Sequence, residues 1–259
     1  MKEYLDSREL ISVISAAGLA AGLRRRDLGT VECAGESFPV IALSRRHSSY
    51  ARRLLLTAGI HGDEPAGPHA VLTLLRELPN DWPELAPFHL EIVPLINPTG
   101  FDRRMRANWQ GIDLNRTFGS PRPPAEIRAL MDDYRRRRAD LSVDFHEDVD
   151  TPGFYMYELA PAEPLSLGRP IIKALKTASL PVNTGPVIEG MPADDGLILR
   201  TSRPFPRFFR QGSPQGLYMK RLGTPRTLTL ETPPSLPLEK RVAMHLIALR
   251  TAVRSWAEP

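Results

Sequence analysis

Two segments of the sequence combine imidazole and carboxylate side chains directly after apolar runs. In TAGIHGDEPAG, residues 57–67, His61 and Glu64 stand three residues apart. In LSVDFHEDVD, residues 141–150, His146 follows an alternating apolar stretch and lies among acidic residues. Imidazole nitrogen and carboxylate oxygen are both zinc ligands, and a catalytic zinc takes three protein ligands. The pattern therefore predicts one zinc site made by His61, Glu64 and His146.

Each segment also has a simpler interpretation when it is taken alone. Asp63 and Glu64 both favour a helix N-terminus, so HGDE fits an exposed turn before a helix. His146 alone fits a surface or core histidine. The combination favours the zinc site, because both segments follow candidate buried strands and open α/β sheets bind ligands at the carboxyl ends of their strands.

Two further segments carry charged groups that such a site would use. Residues 97–119, NPTGFDRRMRANWQGIDLNRTFG, contain several arginines without clear periodicity and predict a structured loop. Guanidinium groups pair bidentately with carboxylates, so this loop predicts a pocket for a substrate carboxylate, although a basic surface loop fits the same residues. RTLTLETPPS, residues 226–235, ends a β-branched run on Glu231, which is either an exposed glutamate or a general base beside a zinc-activated water.

Size and composition fit a folded globular protein. The 259 residues are enough for one substantial core, and 42% are hydrophobic and 25% charged, so we expect a single domain over residues 1–259. The formal net charge of +4 favours anionic partners only weakly. RRR at 24–26 and RRRR at 135–138 are predicted to be solvated helix ends. No aromatic residues interleave with them, which disfavours a nucleic-acid surface.

Cysteine content and the start of the sequence predict a cytoplasmic location. Cys33 is the only cysteine, so no internal disulfide can form. Residues 10–23 are apolar, but acids precede them and arginines follow, which is the reverse of a secretion signal. No run reaches the roughly 20 apolar residues that a membrane span needs. We therefore expect a protein without nucleic-acid or membrane partners, whose oligomeric state the sequence leaves open.

Short apolar runs alternate with helical patterns along the chain. Strands are predicted at 38–44, 53–60, 88–97, 141–147 and 226–232. Helices are predicted at roughly 3–17, 64–78, 124–138, 165–179 and 236–256. This alternation predicts an α/β fold in which helices cover a sheet. Many of the 26 prolines lie in connections such as 120–124, 158–164 and 201–210, which predicts long functional loops.

The order of four motifs resembles the zinc carboxypeptidase superfamily. AGIHGDE, NPTGF…RAN…GIDLNRTF, DFHED and TLETP follow one another in that order, within about residues 54–235. The nearest branch is the compact bacterial one of the murein tripeptide amidase type, with the succinylglutamate desuccinylase and aspartoacylase branch as its neighbour. The resemblance implies a three-layer α/β/α sandwich on a mixed, mostly eight-stranded sheet, with one zinc ion at the carboxyl edge of the sheet.

The resemblance also implies which residues bind the metal. His61, Glu64 and His146 match the three ligands of the superfamily. Asp113 matches the acid that orients a zinc-binding histidine, which fixes the tautomer and direction of the ring.

The remaining matches imply roles toward the substrate. Arg106 matches the arginine that polarises the scissile carbonyl and stabilises its oxyanion. Asn115 and Arg116 match the residues that hold a free terminal carboxylate. Glu231 matches the general base, which later protonates the leaving amine.

Two features of the superfamily find no clear match. Many members close a mobile tyrosine over the substrate, and here Phe208, Phe209 and Tyr218 are candidates to which no role is assigned. The disulfides and secretion signals of digestive members have no counterpart, which favours an intracellular hydrolase of small peptides or conjugates. Residues 186–220 are expected to line the pocket with mixed charges. These are Glu189, Asp194, Asp195, Arg200, Arg203, Arg207 and Arg210.

Together these residues predict zinc-dependent cleavage of an amide bond next to a residue with a free carboxylate, by a metallocarboxypeptidase or a peptide amidase. An N-acyl amino acid deacylase is the closest alternative, because it would use the same zinc site. The full NPTGF loop and the R-x-N-x-x-G-x-D-L-N-R spacing favour the peptidase. A non-catalytic binding protein of the same fold is disfavoured because the matched ligands and the base are all present.

Overall fold

A computed structural model describes residues 5–47, 51–161, 166–201 and 212–257 of the protein. Within these ranges the helices are α1 Ser7–Ala20, α2 Ala66–Asp81, α3 Pro98–Arg103, α4 Ala125–Arg136, α5 Gly168–Thr177, α6 Gln215–Arg221 and α7 Leu238–Ala257. The strands are β1 Arg24–Cys33, β2 Glu36–Arg45, β3 Arg53–Ala58, β4 His89–Val93, β5 Leu141–Glu147, β6 Tyr155–Ala160, β7 Val187–Ile188, β8 Met191–Pro192, β9 Leu197–Thr201 and β10 Arg226–Thr232.

Eight of the described strands form one mixed sheet, in the order β1-β2-β4-β3-β5-β10-β6-β9. The four central strands β4, β3, β5 and β10 run parallel to one another. β1, β2 and β6 join the sheet through antiparallel pairs, and β9 pairs in parallel with β6. The parallel centre is buried on both faces, which explains the continuous apolar runs in the sequence. The predicted mixed, eight-stranded sheet is confirmed.

Helices cover both faces of this sheet, as the predicted three-layer arrangement requires. α1, α2, α5 and α7 pack on one face, around a core that includes Leu56 and Val143. α4 and α6 cover the other face, where Leu55 and Ile127 belong to a second core. Among the described helices, none is long and apolar enough to span a membrane.

The sequence prediction is wrong about the first arginine run. α1 ends at Ala20, and Arg24, Arg25 and Arg26 begin β1 rather than ending a helix. β1 is an edge strand whose exposed positions carry polar side chains, so no apolar alternation marks it in the sequence. The second run agrees with the prediction, because Arg135 and Arg136 lie in the last turn of α4.

Two predicted connections contain regular structure. The first part of the connection at 158–164 belongs to β6, which ends at Ala160. The loop at 97–119 contains α3 and a 3₁₀ turn at Leu114–Arg116. α3 begins after Asn97, whose side-chain oxygen accepts a hydrogen bond from the Gly100 N–H at 2.9 Å. The predicted connection at 201–210 lies almost entirely outside the described residues.

Candidate metal centre

The parallel strands bring the predicted chemical groups to one edge of the sheet. β3 ends at Ala58, and the turn between it and α2 carries His61 and Glu64. His146 lies near the carboxyl end of β5, and its Cα partner on the neighbouring strand β10 is Glu231. Because β3, β5 and β10 are parallel, their carboxyl ends meet where open α/β sheets bind ligands.

Three buried side chains converge at this edge. The Nδ1 atom of His61 lies 2.6 Å from Oε1 of Glu64, and Nδ1 of His146 lies 2.9 Å from Oε2 of Glu64. One donor atom from each residue lies within 4.8 Å of the other two. Two imidazole nitrogens and a carboxylate form a donor set that suits zinc, and the spacing leaves them around a single point. The residues present therefore fit one small divalent cation.

Each imidazole contacts a second carboxylate through its other nitrogen. Nε2 of His61 lies 3.2 Å from Oδ1 of Asp113, and Nε2 of His146 lies 3.0 Å from Oδ2 of Asp144. A carboxylate at this position fixes the tautomer and ring direction of a metal-binding histidine and raises its basicity. Both rings are therefore held with Nδ1 directed toward Glu64.

The charges around these rings favour a cation. Burial alone would raise the pKa of Glu64, but the imidazoles of His146 and His61 outweigh it and lower the pKa to about 2. Burial also opposes ionisation of Asp113, yet contacts with His61 and Arg106 hold the pKa of its carboxyl well below its usual range. The two carboxylates are therefore ionised at neutral pH, next to imidazoles that can bind a metal.

Backbone contacts hold the turn that carries His61 and Glu64. Gly62 packs so closely against α3 that a Cβ atom there would lie 2.0 Å from the carbonyl carbon of Gly100. The Glu147 N–H donates to Oε2 of Glu64 at 3.1 Å, and the Glu147 carboxylate accepts from the Ala66 N–H at 2.7 Å, in the first turn of α2. This ties β5 to the turn after β3, so the candidate ligands on that turn and on β5 keep their relative positions.

Glu231 faces a cavity of about 440 Å³ that also contains the three converging side chains. Alternation along β10 puts Thr227 and Thr229 on the same face as Glu231, and all three line the cavity. Burial raises the pKa of the Glu231 carboxyl well above its usual range, and the Glu64 carboxylate acts in the same direction. A carboxyl in this environment has a strong proton affinity, which suits a group that accepts and returns a proton.

The arginine loop closes one side of the cavity. The Arg106 side chain donates through Nε to Oδ2 of Asp113 at 3.2 Å, and one of its terminal nitrogens lies 3.6 Å from Oε1 of Glu64. Arg116 is exposed and lines the cavity. Asn115 is buried, with its Nδ2 atom 3.4 Å from Nε2 of His146 and its Oδ1 atom accepting from a backbone N–H of α6. All three residues named by the resemblance as substrate groups therefore lie at the cavity.

The charged residues at 186–220 that were predicted to line the pocket do not all lie there. Glu189 and Arg200 line the cavity. Asp194 and Asp195 do not, because they form ion pairs with side chains of α5, at 2.6 Å and 2.5 Å. Their expected place in the pocket is therefore wrong. The predicted lining residues Arg203, Arg207 and Arg210 lie outside the described residues.

The structure describes one of the three candidates for an aromatic residue that closes over the substrate. Tyr218 is buried on α6, with its ring 5.5 Å from that of Phe118 in the α4/α6 core, and it does not line the cavity. Phe208 and Phe209 lie outside the described residues.

Some residues at the cavity carry no clear signal in the sequence. In the sequence Asp144 is one of several acidic residues near His146, but its position two residues before His146 puts both on one face of β5. Tyr155 and Tyr157 of β6 line the cavity, and Tyr155 is the Cα partner of Glu231 on the antiparallel side. No residue type or spacing marks them, because they reach the site only through the pairing of β6 with β10.

The fold and the site together define an α/β/α protein whose buried His-Glu-His cluster, at the carboxyl edge of the sheet, fits a divalent cation. Residues 50–185, just over half of the chain, match the family model of the succinylglutamate desuccinylase/aspartoacylase catalytic domain. The chain therefore belongs to this family, within the zinc carboxypeptidase superfamily.

Individual proteins agree with this assignment. Murein peptide amidase A of Escherichia coli K12 is 40% identical over 81 residues, which are 31% of this chain and 29% of that protein. Carboxypeptidase SOL1 of Arabidopsis thaliana is 32% identical over 88 residues, which are 31% of this chain and 17% of that protein. The match thus spans less than a third of either relative. A solved structure from Shewanella baltica OS155, described as a candidate metallopeptidase, superposes with a TM-score of 0.81 at 25% identity, covering 96% of this chain and 92% of that one.

Proposed function

We propose that this chain is a zinc-dependent hydrolase that cleaves an amide bond next to a residue with a free carboxylate, as a metallocarboxypeptidase or peptide amidase of small peptides. One observation carries the proposal. The donor atoms of His61, Glu64 and His146 lie within 4.8 Å of one another, in the same cavity as Glu231 and Arg116. Cation ligands, a buried carboxyl and a guanidinium that can pair with a carboxylate are the parts that this reaction needs.

Each of these residues has a separate role in the proposed reaction. A zinc ion held by His61, Glu64 and His146 supplies Lewis acidity, which polarises a carbonyl and makes water more acidic. Glu231, beside His146 in the cavity, takes a proton from the attacking water and returns it to the leaving amine. Asp113 holds the ring of His61 in the orientation that directs Nδ1 into the site.

The remaining polar groups act on the substrate. Arg106 donates hydrogen bonds to the oxygen that becomes negative in the tetrahedral intermediate, an effect often worth about 3 kcal/mol per donor. Arg116 pairs with the free carboxylate of the substrate, and Asn115 contributes its amide N–H₂. Arg116 and Arg106 line the same cavity as His61, Glu64 and His146, so one small substrate can contact both arginines and the cation site.

An N-acyl amino acid deacylase is the second candidate, and the family model is the observation that favours it. That model describes succinylglutamate desuccinylase and aspartoacylase, and it covers the ligand motifs at His61 and His146. The same residues would then remove an acyl group from an amino acid rather than cleave a peptide. The single domain over 1–259 and the cytoplasmic location stay predictions from the sequence.

Metal content and substrate class test the proposal together. We expect about one equivalent of zinc, loss of hydrolysis when a chelator removes it, and recovery when zinc is restored. Short peptides, including γ-D-glutamyl peptides, and N-acyl amino acids are assayed in parallel. Hydrolysis of the acyl amino acids alone would favour the deacylase. Less than about a tenth of an equivalent of zinc in metal-replete protein would instead support a non-catalytic binding protein.

A further inference from the structure

A second charged region lies at the opposite edge of the sheet. It is a cleft of about 640 Å³, here named the arginine cleft, formed where β1, β3 and β4 begin and where β2 ends. Seven arginines line the cleft, and Glu91 is the acidic residue among the described residues that line it. β3 alone extends six residues from the cleft toward the metal centre, so at about 3.3 Å per residue the two sites lie roughly 20 Å apart.

Part of this positive charge is already neutralised. Arg26 pairs with Glu91 and, at 2.8 Å, with Asp133 of α4, and Arg137 lies 3.2 Å from the same carboxylate. Arg25 pairs with Asp27 at 2.8 Å. Arg25, Arg26 and Arg137 therefore already have acidic partners.

Of the other four arginines, Arg45 donates to the Leu85 carbonyl at 2.8 Å, and the side chains of the remaining three have no partner among the described residues. The side chains of Arg24, Arg46 and Arg53 make no hydrogen bond or ion pair with any residue in the described ranges. Arg53 also lines an adjoining concavity that holds Arg136 and Arg138, whose side chains are likewise unpaired over the described part of the chain. Guanidinium groups held near one another repel, and an anion between them would relieve that repulsion.

We propose that the arginine cleft binds a compact oligophosphate, meaning a small molecule with two or more linked phosphate groups. Arginine presents a planar fork of donors that matches phosphate oxygens bidentately. The unpaired side chains of Arg24, Arg46 and Arg53 supply three such forks. A concave cleft suits a small anion rather than a flat membrane surface, and no Phe, Tyr or Trp among its described lining residues offers a surface on which bases could stack.

Inorganic tripolyphosphate is the probe. Calorimetric titration of the intact protein at low salt is expected to give saturable binding of one equivalent, and the affinity should fall as salt is raised. Arg24→Gln/Arg46→Gln/Arg53→Gln should weaken binding by about tenfold or more, because each substitution removes a charged donor. If that protein does not fold, Arg24→Gln/Arg46→Gln alone serves, since Arg24 and Arg46 are exposed.

The matched control removes the same charge elsewhere. Arg76→Gln/Arg122→Gln/Lys173→Gln changes exposed side chains without partners in the described ranges, and it should bind tripolyphosphate like the unaltered protein. Citrate that competes for the same site supports the proposal, because guanidinium forks accept carboxylates as well. Equal weakening by the control, no saturable binding near millimolar probe, or binding of duplex DNA without binding of tripolyphosphate would each overturn it.

Discussion

Glu231 and His146 occupy paired positions on adjacent parallel strands. Because Glu231 is not one of the three candidate metal ligands, one substitution at this position can separate proton transfer from metal binding. Glu231→Gln keeps the shape and burial of the side chain but removes the group that would accept a proton. We expect zinc content to stay near that of the unaltered protein and kcat to fall by about 10²–10⁴. Zinc quantification and steady-state kinetics on the best peptide substrate measure both.

Glu126→Gln is the matched control for this change. Glu126 is also a buried glutamate, but it lies on α4, accepts a hydrogen bond from Asn108 at 3.2 Å and does not line the cavity. Its substitution should leave kcat within about twofold, since it removes a charge without touching the site. Near-normal turnover in Glu231→Gln would contradict the assignment of Glu231 as the general base, whatever the metal content.

At the same scale, the sequence predicts ligand types better than it predicts their supports. His61, Glu64 and His146 stand out because imidazole and carboxylate groups at strand ends are unusual. Asp144 and Tyr155 do not stand out, since an aspartate and a tyrosine have many ordinary structural uses. Asp144 reaches the site through strand alternation, and Tyr155 through the pairing of β6 with β10. Strand pairing of this kind cannot be predicted from one sequence.

At the scale of elements, Gly62 joins the turn after β3 to α3 through direct backbone contact. Gly62→Ala would bring a Cβ atom to 2.0 Å from the Gly100 carbonyl carbon and 2.3 Å from the Phe101 nitrogen, so one of these segments must move. We expect the free energy of unfolding to fall by about 1–3 kcal/mol or more, the usual cost of overpacking. Zinc affinity should fall as well, because His61 and Glu64 lie on the same turn.

Gly216→Ala is the control, measured by the same urea denaturation. The added Cβ atom would lie 3.4 Å from the Thr227 hydroxyl oxygen, an ordinary contact, and Gly216 lies within α6. Alanine in a helix is more stable than glycine by about 0.5–1 kcal/mol, so this protein should unfold at the same or higher urea. Equal stability of the two variants would mean that the turn can shift away from α3 at little cost.

The strands that the sequence predicts are the ones that lie at or near the centre of the sheet. β3, β5 and β10 are buried almost throughout, so their residues form apolar runs with one obvious interpretation. β1 and β9 are the two edge strands, with exposed positions that accept arginine and threonine. β6 begins at Tyr155 and ends close to a proline-rich stretch, which favours the interpretation as a connection.

For the whole molecule, the net charge of +4 hides an uneven distribution. Carboxylates surround the imidazoles at the carboxyl edge of the sheet, and arginines collect at the opposite edge. Composition reports only the sum, so the sequence predicted weak attraction for anions. The folded chain instead places the candidate cation site and the proposed anion site on opposite edges of one sheet.

Stability of the whole fold should also depend on His245, which is fully buried on α7. Its Nδ1 atom has no hydrogen-bond partner within the described residues, and its ring stacks on Phe145 at 4.4 Å. Burial lowers the pKa of His245 from 6.5 to about 3, and the positive groups of His146 and Arg241 act in the same direction while Glu64 opposes them.

Because the folded pKa of His245 lies below the unfolded value of 6.5, the unfolded chain gains a proton in this range that the folded chain does not. The stability contributed by neutral His245 is therefore complete above pH 6.5 and is lost as the pH falls toward 3. The loss is about 1.4 kcal/mol per pH unit, so roughly 2 kcal/mol disappears between pH 6.5 and pH 5. His245→Leu has no such proton to gain, and its free energy of unfolding should depend less on pH by this amount.

Urea denaturation of the unaltered protein, His245→Leu and Met244→Leu at several pH values tests this. Zinc is removed from all three proteins by chelation, so proton competition at the metal ligands is common to them. Met244→Leu is a volume-conserving change at a neighbouring buried position and should keep the pH dependence of the unaltered protein. If the slope of the unfolding free energy against urea concentration is similar in all three proteins, differences in their midpoints report differences in stability. Parallel pH profiles for the unaltered protein and His245→Leu would mean that His245 accepts its proton in the folded state as readily as in the unfolded chain.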